Sequence, residues 1–147
     1  MTLACGANGV IARLIMPFDP LQIPAMAAAR FDLRYPAAVS IPGSGLETDD
    51  SRLTIVTGID GTTSFFDRDD DTPPDGVDDT VRLLYAVTGG RTFPPGDIAD
   101  IHFDCTSGAT VDSMDFTCKV LDASDPIGTA IPNAEDIPCS IGSLRLP

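Results

Sequence analysis

The chain has 147 residues, 43% of them hydrophobic, and its 22 acidic and 9 basic side chains give a formal net charge of −13. This length and hydrophobic content suit one folded domain with a substantial core and argue against a chain that is disordered by composition. The charge argues against nucleic acids and anionic membrane surfaces as partners. Its apolar runs fall short of the about 18–20 residues of a transmembrane helix, so we expect no membrane insertion.

Apolar and polar residues alternate with a period of two along the chain, which predicts strands rather than helices. In chain order, the predicted strands are 10–16, 27–35, 39–41, 53–57, 63–66, 81–87, 98–105, 113–121 and 140–146. Turn signals such as Pro42-Gly43 and Gly89-Gly90 separate them. Short strands with frequent turns predict an all-β fold, a single-domain β-sandwich over residues 1–147.

The alternation also assigns the two faces of several strands. In 27–35 the apolar side chains include Phe31 and Leu33, and in 81–87 they include Val81 and Leu83. Tyr35 and Tyr85 fall on these apolar faces, so we expect both in the core. The opposite, outward faces carry Arg30, Asp32 and Arg34 on the first strand and Arg82, Leu84 and Ala86 on the second.

Residues 67–79, DRDDDTPPDGVDD, hold seven of the 22 acidic residues and a single cation, Arg68. Charges this crowded repel unless water screens them or a multivalent cation neutralises them. With the first aspartate as ligand one, oxygen donors fall at the first, third, fifth, seventh, ninth and twelfth positions of an EF-hand-type loop. These residues are Asp67, Asp69, Asp71, Pro73 (through its carbonyl), Asp75 and Asp78. The spacing predicts a Ca²⁺-binding loop inserted between strands.

Two positions depart from the EF-hand pattern. Thr72 stands where the turn requires Gly, and Asp78 is shorter than the usual bidentate Glu. The alternative interpretation is a solvated acidic surface loop, which is what most charge runs are.

The four cysteines are Cys5, Cys105, Cys118 and Cys139, and none lies in a CxxC pair, so a zinc site is not predicted. An even number of cysteines beside a Ca²⁺ loop indicates an oxidising, extracytoplasmic compartment. We expect a mature or excised domain whose export signal lies outside this sequence. Sequence alone leaves all three pairings open. We favour Cys105–Cys118, as a link between neighbouring strands, and Cys5–Cys139, as a link between the chain ends; buried free thiols are the alternative.

Three segments, taken in order, resemble the cohesin domains of bacterial scaffold and surface proteins. AAARFDLRYPAAVSI (27–41) is similar to the cohesin strand in which small residues precede F-x-L-x-Y, a turn and V-x-V. VRLLYAVTGGRTFPPGDIADIHFDCTSGAT (81–110) resembles the later segment with a Gly-bearing loop and a G-x-(I/L)-A-x-I-x-F strand. VLDASDPIGTAIP (120–132) resembles L-x-D-A-x-G-x-x-I. The four cysteines and the acidic insertion at 67–79 depart from the family pattern.

The resemblance implies a jelly-roll or immunoglobulin-like sandwich of about nine strands with its two termini close together. It also implies a non-catalytic receptor that binds the helical dockerin module of another protein. Such a receptor is part of a bacterial-type secreted protein and is located extracellularly or at the cell surface. By position, the partner-binding residues it implies are Arg30, Asp32, Arg34, Arg82, Leu84 and Ala86. An apolar pair surrounded by Arg is a reasonable composition for an interface centre. The alternative is that Leu84 and Ala86 lie under a loop.

Other functional classes are less well supported by the residues. The only histidine, His102, is predicted to point outward between Asp100 and Asp104, without a GxSxG motif, so we predict no catalytic residues and no enzyme. A carbohydrate-binding module is the main alternative, and a structural or adhesive surface-protein domain stiffened by Ca²⁺ is a third. Sugar sites rely on exposed aromatic rings; this chain has no Trp and 2 Tyr, which disfavours a polysaccharide ligand.

Overall fold

The computed structural model describes residues 2–42, 50–68, 79–106 and 108–147. Within these residues the chain is all-β, with eleven strands and three short 3-10 helices. The strands are β1 (Thr2–Ala4), β2 (Val10–Met16), β3 (Ala28–Arg34), β4 (Val39–Ser40), β5 (Leu53–Ile55), β6 (Gly61–Arg68), β7 (Thr80–Val87), β8 (Gly96–Cys105), β9 (Thr110–Asp112), β10 (Thr117–Ser124) and β11 (Ser140–Arg145). The 3-10 helices cover Asp50–Arg52, Ser113–Asp115 and Ala134–Asp136.

All the strand pairs are antiparallel, and they form two large sheets and one small one. The four-stranded sheet has the order β10-β3-β7-β6. The five-stranded sheet has the order β11-β2-β8-β4, with β5 also paired to β8. A small ladder joins β1 to β9, and β1 also contacts β11, so the first and last strands lie near each other.

The buried faces of the two large sheets contribute to a single hydrophobic core. Phe103 of β8 lies between the sheets, with its ring centroid 5.3 Å from that of Tyr35 and 5.5 Å from that of Phe116. Tyr35 and Tyr85 are both buried, as their place in the alternation predicted. Burying one large apolar side chain stabilises the fold by about 1.5–3 kcal/mol, so these rings hold the two sheets in a sandwich-like arrangement.

Most predicted strands are present, and β2 has the predicted bounds. The prediction of a strand over 113–121 is wrong in its first part, because residues Ser113–Asp115 form a 3-10 helix. Asp112 caps that helix: its carboxylate accepts a 2.9 Å hydrogen bond from the Met114 amide, while the Asp112 amide donates to Asp115. Met114, which we had placed on an apolar strand face, is therefore 86% exposed.

All four cysteines form disulfides, but the predicted pairing is wrong. The bonds are Cys5–Cys105 and Cys118–Cys139. Cys105 and Cys118 do not lie on neighbouring strands, because β8 belongs to the five-stranded sheet and β10 to the four-stranded sheet. The Cys118–Cys139 bond instead links edge strand β10 to the residue that precedes edge strand β11.

A tight turn between Gly6 and Gly9 brings Cys5 to the end of β8. Gly9 has a φ of 83°, and a Cβ there would lie 2.1 Å from the carbonyl oxygen of Phe103, so the position admits only glycine. The two disulfides indicate an oxidising environment. Within the described residues, the structure contains no helix with the length and apolar character needed to cross a membrane.

Candidate binding surface

The six predicted partner-binding residues lie together on one face of the four-stranded sheet, which we call the outer face. They come from β3 and β7, which are adjacent and antiparallel, and their neighbours in sequence on both strands are buried in the core. Directly opposite positions on the two strands are Arg30–Leu84, Asp32–Arg82, Ala28–Ala86 and Arg34–Thr80. The register therefore gathers charged and apolar side chains into one surface.

The centre of the outer face is an ion-pair cluster around Asp32. Arg82 donates to both carboxylate oxygens of Asp32, with Nε–Oδ1 and Nη2–Oδ2 distances of 2.7 and 2.8 Å. Arg68 of β6 adds a third contact, with its Nη1 3.5 Å from Oδ2. Because a bidentate Arg–carboxylate pair has a defined geometry, this cluster fixes the Arg82 guanidinium in place.

Two further ion pairs lie at the margins of the outer face. Arg30 Nη2 is 2.6 Å from Asp122 Oδ2, and Arg34 Nη2 is 3.0 Å from Asp79 Oδ2. The Arg30 and Arg34 side chains are 43% and 50% exposed, so each pair contributes only about 0–1 kcal/mol to stability. Arg30 and Arg34 therefore present partly exposed guanidinium groups at the margins of the outer face.

The apolar part of the outer face is a shallow depression of about 320 Å³ beside these ion pairs. Leu84 and Ala28 line it from the sheet, and Gly128 and Ala130 line it from the turn that follows β10. Leu84 and Ala86 are both half-buried. Sequence reasoning did not find Ala28, Gly128 and Ala130, because their place in the depression depends on strand register and on the path of the turn.

The predicted Ca²⁺ ligands Asp69, Asp71, Pro73, Asp75 and Asp78 lie outside the described residues. Asp67 ends up in the interior: its side chain is on the buried face of β6, the residue is 3% exposed, and Oδ1 accepts a 2.6 Å hydrogen bond from the Tyr35 hydroxyl. In the parts of the chain that the structure describes, three or more His, Cys, Asp or Glu side chains do not come together in a way that could hold a metal ion.

The five-stranded sheet carries a second ion-pair cluster that sequence reasoning missed. Asp100 is buried and accepts hydrogen bonds from Arg13 Nε at 2.7 Å and Nη2 at 2.9 Å, and from Arg145 Nη2 at 2.7 Å. Hydrogen bonding from Arg13, and then from Arg145, holds the pKa of the Asp100 carboxyl well below its usual range, against the opposing effect of burial. Arg13 also binds Asp97 at 2.9 Å. The cluster joins β2, β8 and β11 across the sheet.

The only histidine makes a structural contact. His102 is half-buried on β8, and its Nε2 lies 2.6 Å from the carbonyl oxygen of Asn8. The acids on either side of it in sequence bind arginines: Asp100 as described, and Asp104 through Arg52 Nη1 at 2.7 Å. The arrangement around His102 therefore serves the packing of β8 against the turn before β2.

The aromatic rings are almost entirely interior. Every Phe and Tyr of the chain falls within the described residues, and all are buried except Phe66, which is half-buried on the outer face opposite Arg82. Exposed rings are what a sugar ring stacks on, so this distribution weighs against a carbohydrate platform on the described surface.

These observations define an all-β domain with two disulfides and a mixed apolar and charged outer face. Comparison with known families, curated proteins and solved structures finds no match to this chain.

Proposed function

We propose that this chain is a non-catalytic protein–protein interaction module. In this proposal it is a cohesin-like β-sandwich, of jelly-roll or immunoglobulin-like topology, that acts outside the cell or at its surface. Its partner is a helical, dockerin-type module of another protein, and the outer face of the four-stranded sheet is the binding surface.

The observation that carries the proposal is the composition and geometry of that face. A half-buried leucine, Leu84, borders a depression of about 320 Å³, and Arg30 lies directly opposite it on β3. Interfaces of this kind place an apolar anchor at the centre and polar groups at the rim, and a few central residues supply most of the binding energy. Leu84 is the expected centre of the interface.

The ion pairs of the face fit the same role. The Arg82–Asp32 pair has a bidentate geometry and supports the surface beside Leu84, whereas Arg30 and Arg34 are partly exposed and form ion pairs with Asp122 and Asp79 at the margins of the outer face. A net charge of −13 favours a partner with basic residues, because long-range attraction speeds the encounter of oppositely charged proteins. We therefore expect a helical partner with apolar residues on one side and Lys or Arg beside them.

Calcium belongs to the proposal as a structural ion of the 67–79 loop. Binding would neutralise carboxylates that otherwise repel one another, and hard oxygen donors suit a hard cation. In this proposal the ion orders the loop.

A structural or adhesive role is the second candidate. Two observations favour it. Asp32 and Asp100, one on each large sheet, form ion pairs with arginines of their own sheet, and the Cys118–Cys139 disulfide links the edges of the two sheets. A stalk built in this way would be stiff and would have no discrete partner.

The experiment that separates these candidates is affinity capture from the secreted and surface proteins of the source organism, with Ca²⁺ and then with chelator. Capture of a protein with a duplicated Ca²⁺-loop helical module supports the interaction module. Recovery of polysaccharide alone, or of nothing, would contradict the interaction module and favour the carbohydrate or structural role. Because dockerin modules need Ca²⁺ themselves, release by chelator does not locate the ion on residues 67–79.

A further inference from the structure

Strand β6 forms one edge of the four-stranded sheet, and among the described residues it pairs with β7 alone. It is eight residues long, and its register with β7 runs from Gly61 to Arg68 without a shift. Its first four residues, Gly61–Ser64, are exposed, and they include neither a charge nor a proline. A strand edge of this kind presents N–H and C=O groups that can pair with another strand.

The other sheet edges of the described chain are protected. β10 has a register shift between Val120 and Asp122, and β11 has one between Ile141 and Ser143. Cys118–Cys139 also ties the start of β10 to the residue before β11. β4 and β5 have only two and three residues. Bulges, short strands and charges are the devices with which proteins prevent edge pairing, and β6 lacks them over its exposed half.

We propose that the edge of β6 that has no partner strand among the described residues pairs with β6 of a second copy of this chain, antiparallel and centred on Ser64. In this register each Ser64 faces its counterpart, Phe66 faces Thr62, and Arg68 faces Asp60. Asp60 is exposed at the start of the strand, and within the described residues its carboxylate makes no hydrogen bond or ion pair. Opposite charges at directly opposed positions stabilise an antiparallel pair, and two-fold symmetry supplies the Arg68–Asp60 pair twice.

The register follows from the charges of the strand. With the two-fold axis on Thr62 or Phe66 instead, Arg68 would face position 56 or 64, and both are uncharged. Only the Ser64-centred alignment of outward residues places the cation of β6 opposite an acid. The dimer joins two outer faces into one continuous sheet surface, which would present two copies of the Leu84 depression to a partner.

The test is sedimentation equilibrium of the full chain over a range of concentrations at physiological ionic strength, where screening limits repulsion between two acidic chains. We expect the mass to rise from monomer to dimer with concentration. Ser64→Lys places like charges on the two-fold axis and should weaken the dimer by up to about fivefold. Ser140→Lys, the same change on the protected edge strand β11, should leave the dimer unchanged. A monomeric mass at all concentrations up to about 1 mM would overturn the proposal.

Cross-linking tests the register without depending on how a lysine variant folds. Opposed side chains in an antiparallel pair have Cβ atoms about 4.5–5.5 Å apart, so Ser64→Cys should form an intermolecular disulfide under mild oxidation. Thr62→Cys is the matched control, since two Thr62 positions lie four residues out of register, about 14 Å apart. A peptide digest confirms that the native disulfides are retained. Cross-linking of Thr62→Cys but not Ser64→Cys, or of both equally, would refute the Ser64-centred pair.

Discussion

Removing the two disulfides separately should destabilise the protein by different amounts. The Cys5–Cys105 bond spans a sequence separation of 100 residues and the Cys118–Cys139 bond one of 21. In the chain-entropy account, a disulfide stabilises by restricting the unfolded chain, and the effect grows with the logarithm of the loop length. The relation gives about 4.7 kcal/mol for the longer loop and about 3.3 kcal/mol for the shorter one.

The variants are Cys5→Ala with Cys105→Ala, and Cys118→Ala with Cys139→Ala, so that no odd cysteine is left to exchange. Loss of the buried Cys5 sulfur adds to the effect of the first pair of changes, which keeps the predicted order the same. The assay is urea denaturation at pH 7 followed by far-UV circular dichroism, with the reduced wild-type chain as a reference for loss of both bonds. Mass spectrometry of a non-reduced digest should first recover the Cys5–Cys105 and Cys118–Cys139 peptides.

The predicted order would be refuted if loss of Cys118–Cys139 cost as much as loss of Cys5–Cys105. That result would mean that the unfolded chain already restricts the long loop, through residual structure. A digest that linked Cys105 to Cys118 would refute the pairing itself.

Three further predictions concern charge and hydrogen bonding. If the predicted loop binds Ca²⁺ with a dissociation constant on the order of 10⁻⁴–10⁻³ M, 10 mM Ca²⁺ should raise the free energy of unfolding by about 1.4–2.7 kcal/mol. Asp71→Asn should abolish this gain. A melting temperature that changes with neither Ca²⁺ nor chelator would contradict the site. Asp100→Asn should lower the free energy of unfolding at pH 7 by about 1.5–3 kcal/mol. The pKa of Asp100 is lower in the folded than in the unfolded state, so the free energy of unfolding of the wild-type chain should fall as the pH drops below about 4. In urea titrations at several pH values, the variant should lose part of this dependence on pH. An equal dependence in both chains would disprove the assignment. Tyr35→Phe removes the hydroxyl that donates a hydrogen bond to buried Asp67 and should lower the free energy of unfolding by about 1–3 kcal/mol. Thermal denaturation of this variant and of the wild-type chain measures the difference, and an unchanged melting temperature would contradict the contact.

The sequence predicted the parts of the fold that depend on local alternation. Strand β2 and the inward and outward faces of β3 and β7 follow from a period of two, because one face of each strand is buried in a shared core. The predicted strand is absent at residues 113–115 because Asp112 and Asp115 form a capping box, whose hydrogen bonds give the backbone a local alternative to strand pairing.

The features that the sequence did not predict depend on which strands are neighbours. The disulfide pairing required knowing that β8 and β10 belong to different sheets, and alternation carries no such information. The Asp100 cluster likewise needs Arg13 and Arg145 from two other strands, and the depression beside Leu84 needs the turn after β10. The outward positions of β3 and β7 could be predicted because the alternation of apolar and polar residues along each strand determines them.

The most direct test of the proposed interaction module is a calorimetric titration of the captured helical module into the wild-type chain, Leu84→Arg and Ser140→Arg. Leu84 is half-buried on the outer face, whereas Ser140 is exposed on the other sheet, so both changes should leave the fold intact. We predict that Leu84→Arg weakens binding by about 30-fold or more, as expected for a residue worth at least about 2 kcal/mol, and that Ser140→Arg has no effect. Wild-type affinity in Leu84→Arg would contradict the account and move the binding site off the outer face.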